Sequence, residues 1–268
     1  MLNCQVWKIT DGIYSFLDEG EDSFYVIEGT ERAAVIDTGI SPGEKIIPLI
    51  RHYTDKPLVL VITHAHIDHV YHMDEFNTVY MNHEDAAIAG QLLERMGCDK
   101  KLDFTATTDI RTGSTIDLGT IGLEVCQAGG HSPGSVVLYE KKSESVFTGD
   151  AIGSGYGVWM QVPGALPLDK FYENLTAFLQ WLIARGGRMN FYGGHYRQRF
   201  QSPLVPNYNP VNLGMLCDMI DLVDKIVKGE ITGRESVQDK SFGTEMTLYA
   251  SYGRAEIQYR QSNIHSSK

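Results

Sequence analysis

The chain has 268 residues, of which 43% are hydrophobic, so it is long enough for one large domain or two small ones with a sizeable core. A net charge of −11 argues against a broad nucleic-acid or anionic-membrane surface, but it leaves a small anionic substrate open. The four cysteines form no CxxC pair, no basic and apolar leader opens the chain, and no apolar run approaches membrane-spanning length. We therefore expect a cytoplasmic protein with no membrane partner.

Short apolar runs separated by turn signals predict an antiparallel meander in the N-terminal region. These runs lie at residues 6–9, 13–16, 24–28 and 33–37. Ser41-Pro42-Gly43-Glu44 then predicts the capped start of a helix that ends before Pro57. The next apolar run, residues 58–62, predicts a buried strand that ends at Thr63.

Strands and helices alternate through the rest of the chain. Helices are predicted over residues 84–96, 169–185 and 209–228, and strands over 79–81, 123–127, 136–139, 145–147 and 189–192. A hairpin is predicted over residues 247–259, and no element is predicted over 99–120. This alternation predicts one layered α/β domain over residues 1–260, followed by a frayed tail at 261–268.

Side chains that bind metals recur where the predicted strands end. They are Asp37, His64, His66, Asp68, His69, His131, Asp150 and His195. Imidazole nitrogens and carboxylate oxygens are the ligands that zinc and similar divalent ions take in proteins. Because strand ends can share one edge of an α/β sheet, this pattern predicts a metal site. The other histidines are interpreted as surface residues (His52, His265) or structural residues (His72, His83).

The segment His64-Ala65-His66-Ile67-Asp68-His69 matches the HxHxDH signature of the metallo-β-lactamase-fold superfamily. The remaining family motifs follow in the family order: Asp37 after an early strand, His131 in Gly130-His131-Ser132-Pro133-Gly134, Asp150 in Phe147-Thr148-Gly149-Asp150, and His195 after Gly194. From the first strand to His195 the chain thus resembles these hydrolases. The resemblance implies an αβ/βα four-layer sandwich with a dinuclear metal centre at the strand ends.

The resemblance also implies a role for each of these side chains. One metal would be held by His64, His66 and His131, and the second by Asp68, His69 and His195. Asp150 would bridge both ions, and Asp37 would brace a ligand from outside. Zinc is the expected metal, with manganese or iron as alternatives.

A hydroxide held between two such ions is a nucleophile at neutral pH, so the expected reaction is hydrolysis of an ester, lactone or thioester, with Asp68 orienting the hydroxide. The apolar loop at residues 152–168 directly follows Asp150. We therefore expect a partly hydrophobic small-molecule substrate that contacts Trp159 and Met160, with Tyr156 or Tyr192 donating to the oxyanion. The same loop is equally suited to a homodimer contact or to core packing.

Other functions fit parts of the same pattern. A small-nucleotide phosphodiesterase would use the same metals but would need cations, for which Arg197 and Arg199 are the candidates. A mononuclear iron sulfur dioxygenase is disfavoured by the complete second ligand set, and a non-catalytic metal-binding module by the completeness of both sets. The sequence does not distinguish the lactonase, glyoxalase II and thioesterase branches of the superfamily. The segment after His195, however, does not resemble the glutathione-binding domain of glyoxalase II.

Overall fold

A computed structural model describes residues 4–153, 157–195, 211–236 and 243–267. Seven strands form the first sheet, in the order β1 (Gln5–Thr10), β2 (Ile13–Leu17), β3 (Ser23–Glu28), β4 (Ala33–Ile36), β5 (Leu58–Val61), β6 (Val79–Met81) and β7 (Thr108–Asp109). Strands β1 to β4 pair antiparallel, which confirms the predicted meander, and β4 to β7 pair parallel.

Two further sheets follow along the chain. The second sheet contains β8 (Thr115–Asp117), β9 (Gly122–Gln127), β10 (Val136–Glu140), β11 (Ser145–Gly149) and β13 (Asn190–Gly193), in the order β13-β11-β10-β9-β8. The third sheet contains β12 (Val158–Trp159), β14 (Arg234–Glu235), β15 (Leu248–Tyr252) and β16 (Ala255–Tyr259), in the order β12-β16-β15-β14. Strands β15 and β16 confirm the predicted C-terminal hairpin.

In the described ranges, five α-helices pack around the two large sheets. They are α1 (Ile47–Ile50), α2 (Ile67–Val70), α3 (His83–Arg95), α4 (Leu168–Ile183) and α5 (Leu213–Val227). No helix in the described ranges is long and apolar enough to cross a membrane.

Three buried clusters define the four layers. One lies between the first sheet and α1 to α3 and includes Phe24, Leu60 and Leu93. A second fills the space between the two large sheets, and a third lies between the second sheet, α4, α5 and the third sheet. Strand β10 is buried on both faces because Leu138 points to the first sheet and Val137 points to the helices. This is the αβ/βα sandwich that the sequence predicted.

Two sequence predictions about local structure were wrong or incomplete, and a third falls on residues that the structure does not describe. Helix α1 begins six residues after Ser41, and its free N–H groups at Ile46 and Ile47 are capped by the carboxylate of Glu75 at 3.1 and 3.2 Å, so no capping box forms. The stretch left without an element contains the short strands β7 and β8. The predicted helix start at Asn209-Pro210 lies outside the described residues, and α5 is capped by Asn212.

The C-terminal tail is packed rather than frayed over residues 261–267. A 3₁₀ helix spans Gln261–Asn263, and Ile264 is buried in the cluster beside α4. The backbone N–H and hydroxyl of Ser266 donate to the carboxylate of Asp169 at 2.8 and 2.7 Å. Burial of Ile264 and the hydrogen bonds from Ser266 to Asp169, in the first turn of α4, together hold this segment in place.

The two large sheets are joined at the carboxyl ends of their strands. The N–H of Ser23, at the start of β3, donates to the carbonyl of Gly194 at 2.7 Å. The N–H of Val136 donates to the carbonyl of Thr63 at 2.9 Å. Because β4 and β5 run parallel to each other, as do β11 and β13, their carboxyl ends meet along this seam. The seam is where the predicted ligands lie.

Candidate metal centre

Every predicted ligand follows the end of a strand at this seam. His64 and His66 follow β5, Asp68 and His69 lie in the single turn of α2, and His131 lies in the loop between β9 and β10. Asp150 follows β11, and His195 follows β13. The structure therefore brings together seven side chains that are spread over residues 64–195 of the sequence.

These side chains form two groups, each with its ligand atoms within 4.8 Å of one another. The groups are His64, His66 and His131, and Asp68, His69, Asp150 and His195. A single atom lies between them, since Asp150 Oδ2 is 3.8 Å from His131 Nε2, 3.9 Å from His69 Nε2 and 3.0 Å from His195 Nε2. The grouping is the one that the sequence predicted for two ions with a bridging Asp150.

Four of the histidines are oriented by a hydrogen bond at Nδ1, the ring nitrogen that faces away from the centre. His69 Nδ1 donates to Asp37 Oδ2 at 2.8 Å, His131 Nδ1 to the carbonyl of Trp159 at 2.8 Å, and His195 Nδ1 to Asp22 Oδ1 at 2.9 Å. His64 Nδ1 faces Thr63 Oγ1 at 3.1 Å. A proton fixed on Nδ1 leaves the Nε2 lone pair of each ring for the centre.

The predicted brace, Asp37, is buried and fully engaged. Its carboxylate accepts from the backbone N–H and the hydroxyl of Thr63, both at 2.7 Å, as well as from His69. Its backbone is left-handed, with φ of 61°, a conformation that a non-glycine residue adopts only where the surroundings enforce it. Asp37 thus connects β4 to the signature segment.

Burial dominates the protonation of the three-histidine group. It lowers the pKa of His64 well below the ordinary value, and neighbouring imidazoles lower it further. Burial likewise lowers the pKa of His66 to about 3 and lowers that of His131. These rings are therefore neutral at pH 7, which is the state that binds a metal ion.

The second group carries an excess of negative charge. Burial lowers the pKa of His69 and His195, but the carboxylates around them outweigh burial and raise both pKa values well above the ordinary value. The acidic residues responsible include Asp68 beside both rings, Asp37 beside His69 and Asp150 beside His195. A position that favours positive charge this strongly suits a divalent cation.

Unpaired buried nitrogens give an independent test of metal binding. Within the described part of the chain, Nε2 of His131 is buried and makes no hydrogen bond, and Nε2 of His69 is buried with only an ion-pair contact to Asp68 Oδ2 at 3.1 Å. Such atoms cost about 1–3 kcal/mol each unless a ligand pairs them. Together with an all-imidazole and carboxylate donor set, they show that these residues fit divalent metal ions.

Two supporting carboxylates were missed from the sequence. Asp22, in the turn between β2 and β3, holds His195 as described above, and burial raises its pKa to about 6. Asp85 is fully buried in the first turn of α3. Its carboxylate accepts from the N–H of Ala65 at 2.8 Å, the N–H of Gly134 at 2.6 Å and the hydroxyl of Ser132 at 2.6 Å.

Asp85 thereby clamps the loop of His64 and His66 to the loop of His131. Space is limited at this contact, because a Cβ on Gly134 would lie 2.6 Å from the backbone nitrogen of Asp85. This role could not be predicted from the sequence, because an aspartate in the first turn of a helix is ordinarily interpreted as a favourable charge at the helix N-terminus.

A cavity of about 500 Å³ opens beside the ligands. Its wall combines the ligands with a large apolar surface formed by Ile67, Leu92, Met96, Val158, Trp159, Val162 and Pro163. None of the described residues that line it is lysine or arginine. The cavity is therefore suited to an uncharged, largely apolar group next to the metal centre.

Of the residues predicted to contact the substrate, one lines the cavity, two pack elsewhere and one lies outside the described residues. Trp159 lines the cavity and is 41% exposed, as expected. Met160 is wrong as a contact, because its side chain is 1% exposed and packs in the core beside α4. Tyr192 is misplaced as an oxyanion donor, because its ring stacks on Phe147 between the two large sheets, with centroids 5.4 Å apart. Tyr156, like Arg197 and Arg199, lies outside the described residues.

Comparison with known proteins agrees with the geometry. Residues 17–187 match the metallo-beta-lactamase superfamily. Over 140 residues the chain is 30% identical to the probable metallo-hydrolase YqgX of Bacillus subtilis, covering 49% of this chain and 66% of that protein. Over 186 residues it is 26% identical to the human acyl-coenzyme A thioesterase MBLAC2, covering 55% of this chain and 66% of that protein. The chain thus spans just under two thirds of the length of these two relatives.

Solved structures show the same fold. A metallo-beta-lactamase from Pontibacter korlensis superposes with a TM-score of 0.62 at 20% identity, covering 83% of this chain and 99% of that one. TTHA1623 in a di-iron-bound form superposes with a TM-score of 0.50 at 25% identity, covering 69% and 95%.

Fold and site define an α/β protein with a candidate metal centre at its strand ends. The chain belongs to the metallo-β-lactamase superfamily.

Proposed function

We propose that this protein is a dinuclear, zinc-dependent hydrolase that cleaves an ester, lactone or thioester with a largely apolar acyl group. The observation that carries this proposal is the apolar cavity that ends at the two ligand groups. The name of the human relative, an acyl-coenzyme A thioesterase, supports a thioester among these substrates.

The side chains divide the work of hydrolysis. Two divalent ions in such a donor set supply a nucleophilic water at neutral pH and polarise the scissile carbonyl. Asp68 lines the cavity and is ionised, because His69 and His195 outweigh burial and lower its pKa. Its carboxylate can therefore accept the hydrogen bond that orients the attacking water. The apolar wall excludes bulk water and aligns the acyl group.

Other chemistry receives less support from the same cavity. A phosphodiester would leave its second anionic oxygen without a cation, since the described lining contains no lysine or arginine. A sulfur dioxygenase needs one iron, and here the second ligand group is assembled as tightly as the first. Iron in place of zinc in a two-metal hydrolase stays open, as the di-iron form of TTHA1623 illustrates for that protein.

Metal analysis and a substrate panel test the proposal together. Protein purified without chelator should contain close to two zinc ions per chain, and it should hydrolyse hexanoyl thioesters and aryl esters faster than bis-nitrophenyl phosphate or a β-lactam. Chelator should abolish this turnover and zinc should restore it. Asp68→Asn should weaken binding of the second ion, and at zinc concentrations that fill both sites it should still lower kcat by about 10²–10⁴-fold. Turnover that survives chelation, or a phosphodiester as the preferred substrate, would contradict the proposal.

A further inference from the structure

One polar side chain on the cavity wall belongs to neither ligand group and supports none of the ligands. Gln258, in β16, lines the cavity and is 9% exposed. The other hydrogen-bonding side chains of the described lining are histidines, aspartates and the indole of Trp159. Apart from the predicted ligands, Gln258 is therefore the described lining residue that offers both an uncharged donor and an uncharged acceptor.

The side-chain amide of Gln258 is hydrogen-bonded to a second side-chain amide, which is buried. Gln161 is 2% exposed, and its Nε2 donates to Gln258 Oε1 at 3.3 Å. In the described part of the chain, Gln258 Nε2 has no hydrogen-bond partner, and Gln161 Oε1 is also unpaired. Gln258, the member of the pair that lines the cavity, therefore keeps an amide N–H₂ group that can donate to a ligand there.

The backbone of Gln258 is fixed on both sides. Its carbonyl accepts from the N–H of Met160 at 2.7 Å, and its Cα pairs with Trp159 across β12 and with Tyr249 across β15. The carbonyl of Trp159 in turn accepts from His131. Gln258 therefore lies one strand, about 5 Å, from Trp159, the residue whose carbonyl orients the predicted ligand His131.

We infer that Gln258 is a specificity-determining residue that binds a neutral amide group of the substrate a few bonds from the scissile carbonyl. This inference rests on the proposed hydrolase function. An amide satisfies both the donor and the acceptor of a glutamine, whereas a carboxylate or phosphate would require a cation that the described lining lacks. A pure hydrocarbon in this position would leave the glutamine unpaired, which disfavours such a ligand.

Matched pairs of hydrolysis-inert thioethers test the inference by binding alone. In the first pair the amide lies in the leaving group: the S-hexyl thioether of N-acetylcysteamine against hexyl pentyl sulfide. In the second it lies in the acyl half: the S-ethyl thioether that corresponds to N-butanoylglycine against ethyl heptyl sulfide. Dissociation constants for the zinc-loaded protein come from titration calorimetry. We expect the wild type to prefer the amide member of at least one pair by about 10-fold.

Gln258→Met should bring both members of that pair within about two-fold of each other. Methionine matches glutamine in length and has no branch, so the core around it is preserved. Gln258→Asn retains an amide but withdraws it by one methylene, and it should lose the preference as well. Gln180→Met, on the exposed face of α4, is the matched control and should bind like the wild type.

The outcome separates this inference from the proposed function. Equal preference in the wild type and in either Gln258 variant, or no preference in the wild type, overturns the amide site whatever the protein hydrolyses. Hydrolysis of the corresponding thioesters is measured separately. A wild type that prefers the amide thioethers but cleaves no ester or thioester would disprove the hydrolase while supporting the binding site.

Discussion

Replacing Asp85 by alanine should weaken metal binding although Asp85 hydrogen-bonds none of the predicted ligands. Its carboxylate accepts from Ala65, Ser132 and Gly134 and so joins the two loops of the three-histidine group. Asp85→Ala leaves two buried N–H groups unpaired, at a cost of roughly 1–3 kcal/mol each. The gain from removing a buried carboxylate, whose pKa is raised from 3.8 to about 6, offsets about 3 kcal/mol of this. We expect the variant to lose about 1 kcal/mol of unfolding free energy.

The effect on metal affinity should exceed the effect on stability. Loss of a residue that positions ligands typically weakens metal binding by about 10–100-fold. Urea unfolding of the metal-free protein gives the first quantity, and competition with a calibrated chelator gives the second. Ser132→Ala is the control, because it removes one donor, leaves both N–H bonds to Asp85 and should cost about 1 kcal/mol. Wild-type affinity in Asp85→Ala, with stability changed by less than about 0.5 kcal/mol, would refute the clamp.

The pH dependence of Asp85 provides a second measure of the same contact. Because its folded-state pKa is raised above the unfolded value by burial, its contribution to stability is fully present below pH 3.8 and is lost as the pH rises through about 6. Between pH 7.5 and 4.5 the metal-free wild type should therefore gain about 2 kcal/mol relative to Asp85→Asn, which cannot titrate. Parallel stability profiles for the two proteins would show that the carboxylate is not buried in this way.

Two further substitutions test the second ligand group and the cavity. Asp22→Ala removes the acceptor of His195 Nδ1. In a chelator titration it should weaken the affinity for one of two zinc ions by about 10–100-fold and leave the affinity for the other unchanged. Equal weakening of both affinities would count against the assignment. Met96→Trp places a larger side chain on the apolar wall, so the kcat/KM optimum should move to shorter acyl chains, and an unchanged optimum would place the acyl group elsewhere.

The sequence predicted the ligands because each of them stands in a local pattern. His64, His131 and His195 each follow a strand and lie in or beside a turn, so their position could be recognised from a few neighbours. Asp22 and Asp85 have no such pattern, since one lies in a turn and the other in a first helical turn, where aspartate is common. Their partners are distant in sequence and become visible only when the two sheets are joined.

Strand alternation explains the misplaced contacts. Trp159 and Met160 were both expected beside the substrate, but successive side chains at a strand point to opposite sides, so Trp159 lines the cavity and Met160 enters the core. The same rule applies to β13, where Phe191 faces the helices and Tyr192 faces the first sheet. Because the loop is apolar throughout, its hydrophobic pattern does not reveal the short strand β12 within it. The alternation of side chains along β12 could therefore not be predicted.

The third sheet couples specificity to the metal centre through its backbone rather than its side chains. His131 is held by the carbonyl of Trp159, and any residue at this position would offer the same carbonyl as long as β12 stays paired with β16. The side chains of Trp159 and Gln258 are therefore free to vary with the substrate while the ligand geometry is kept. Strand β16 also lies beyond the segment that matches the superfamily, residues 17–187. The matching segment thus contains six of the seven predicted ligands and the apolar wall of the cavity, whereas His195 and Gln258 lie beyond it.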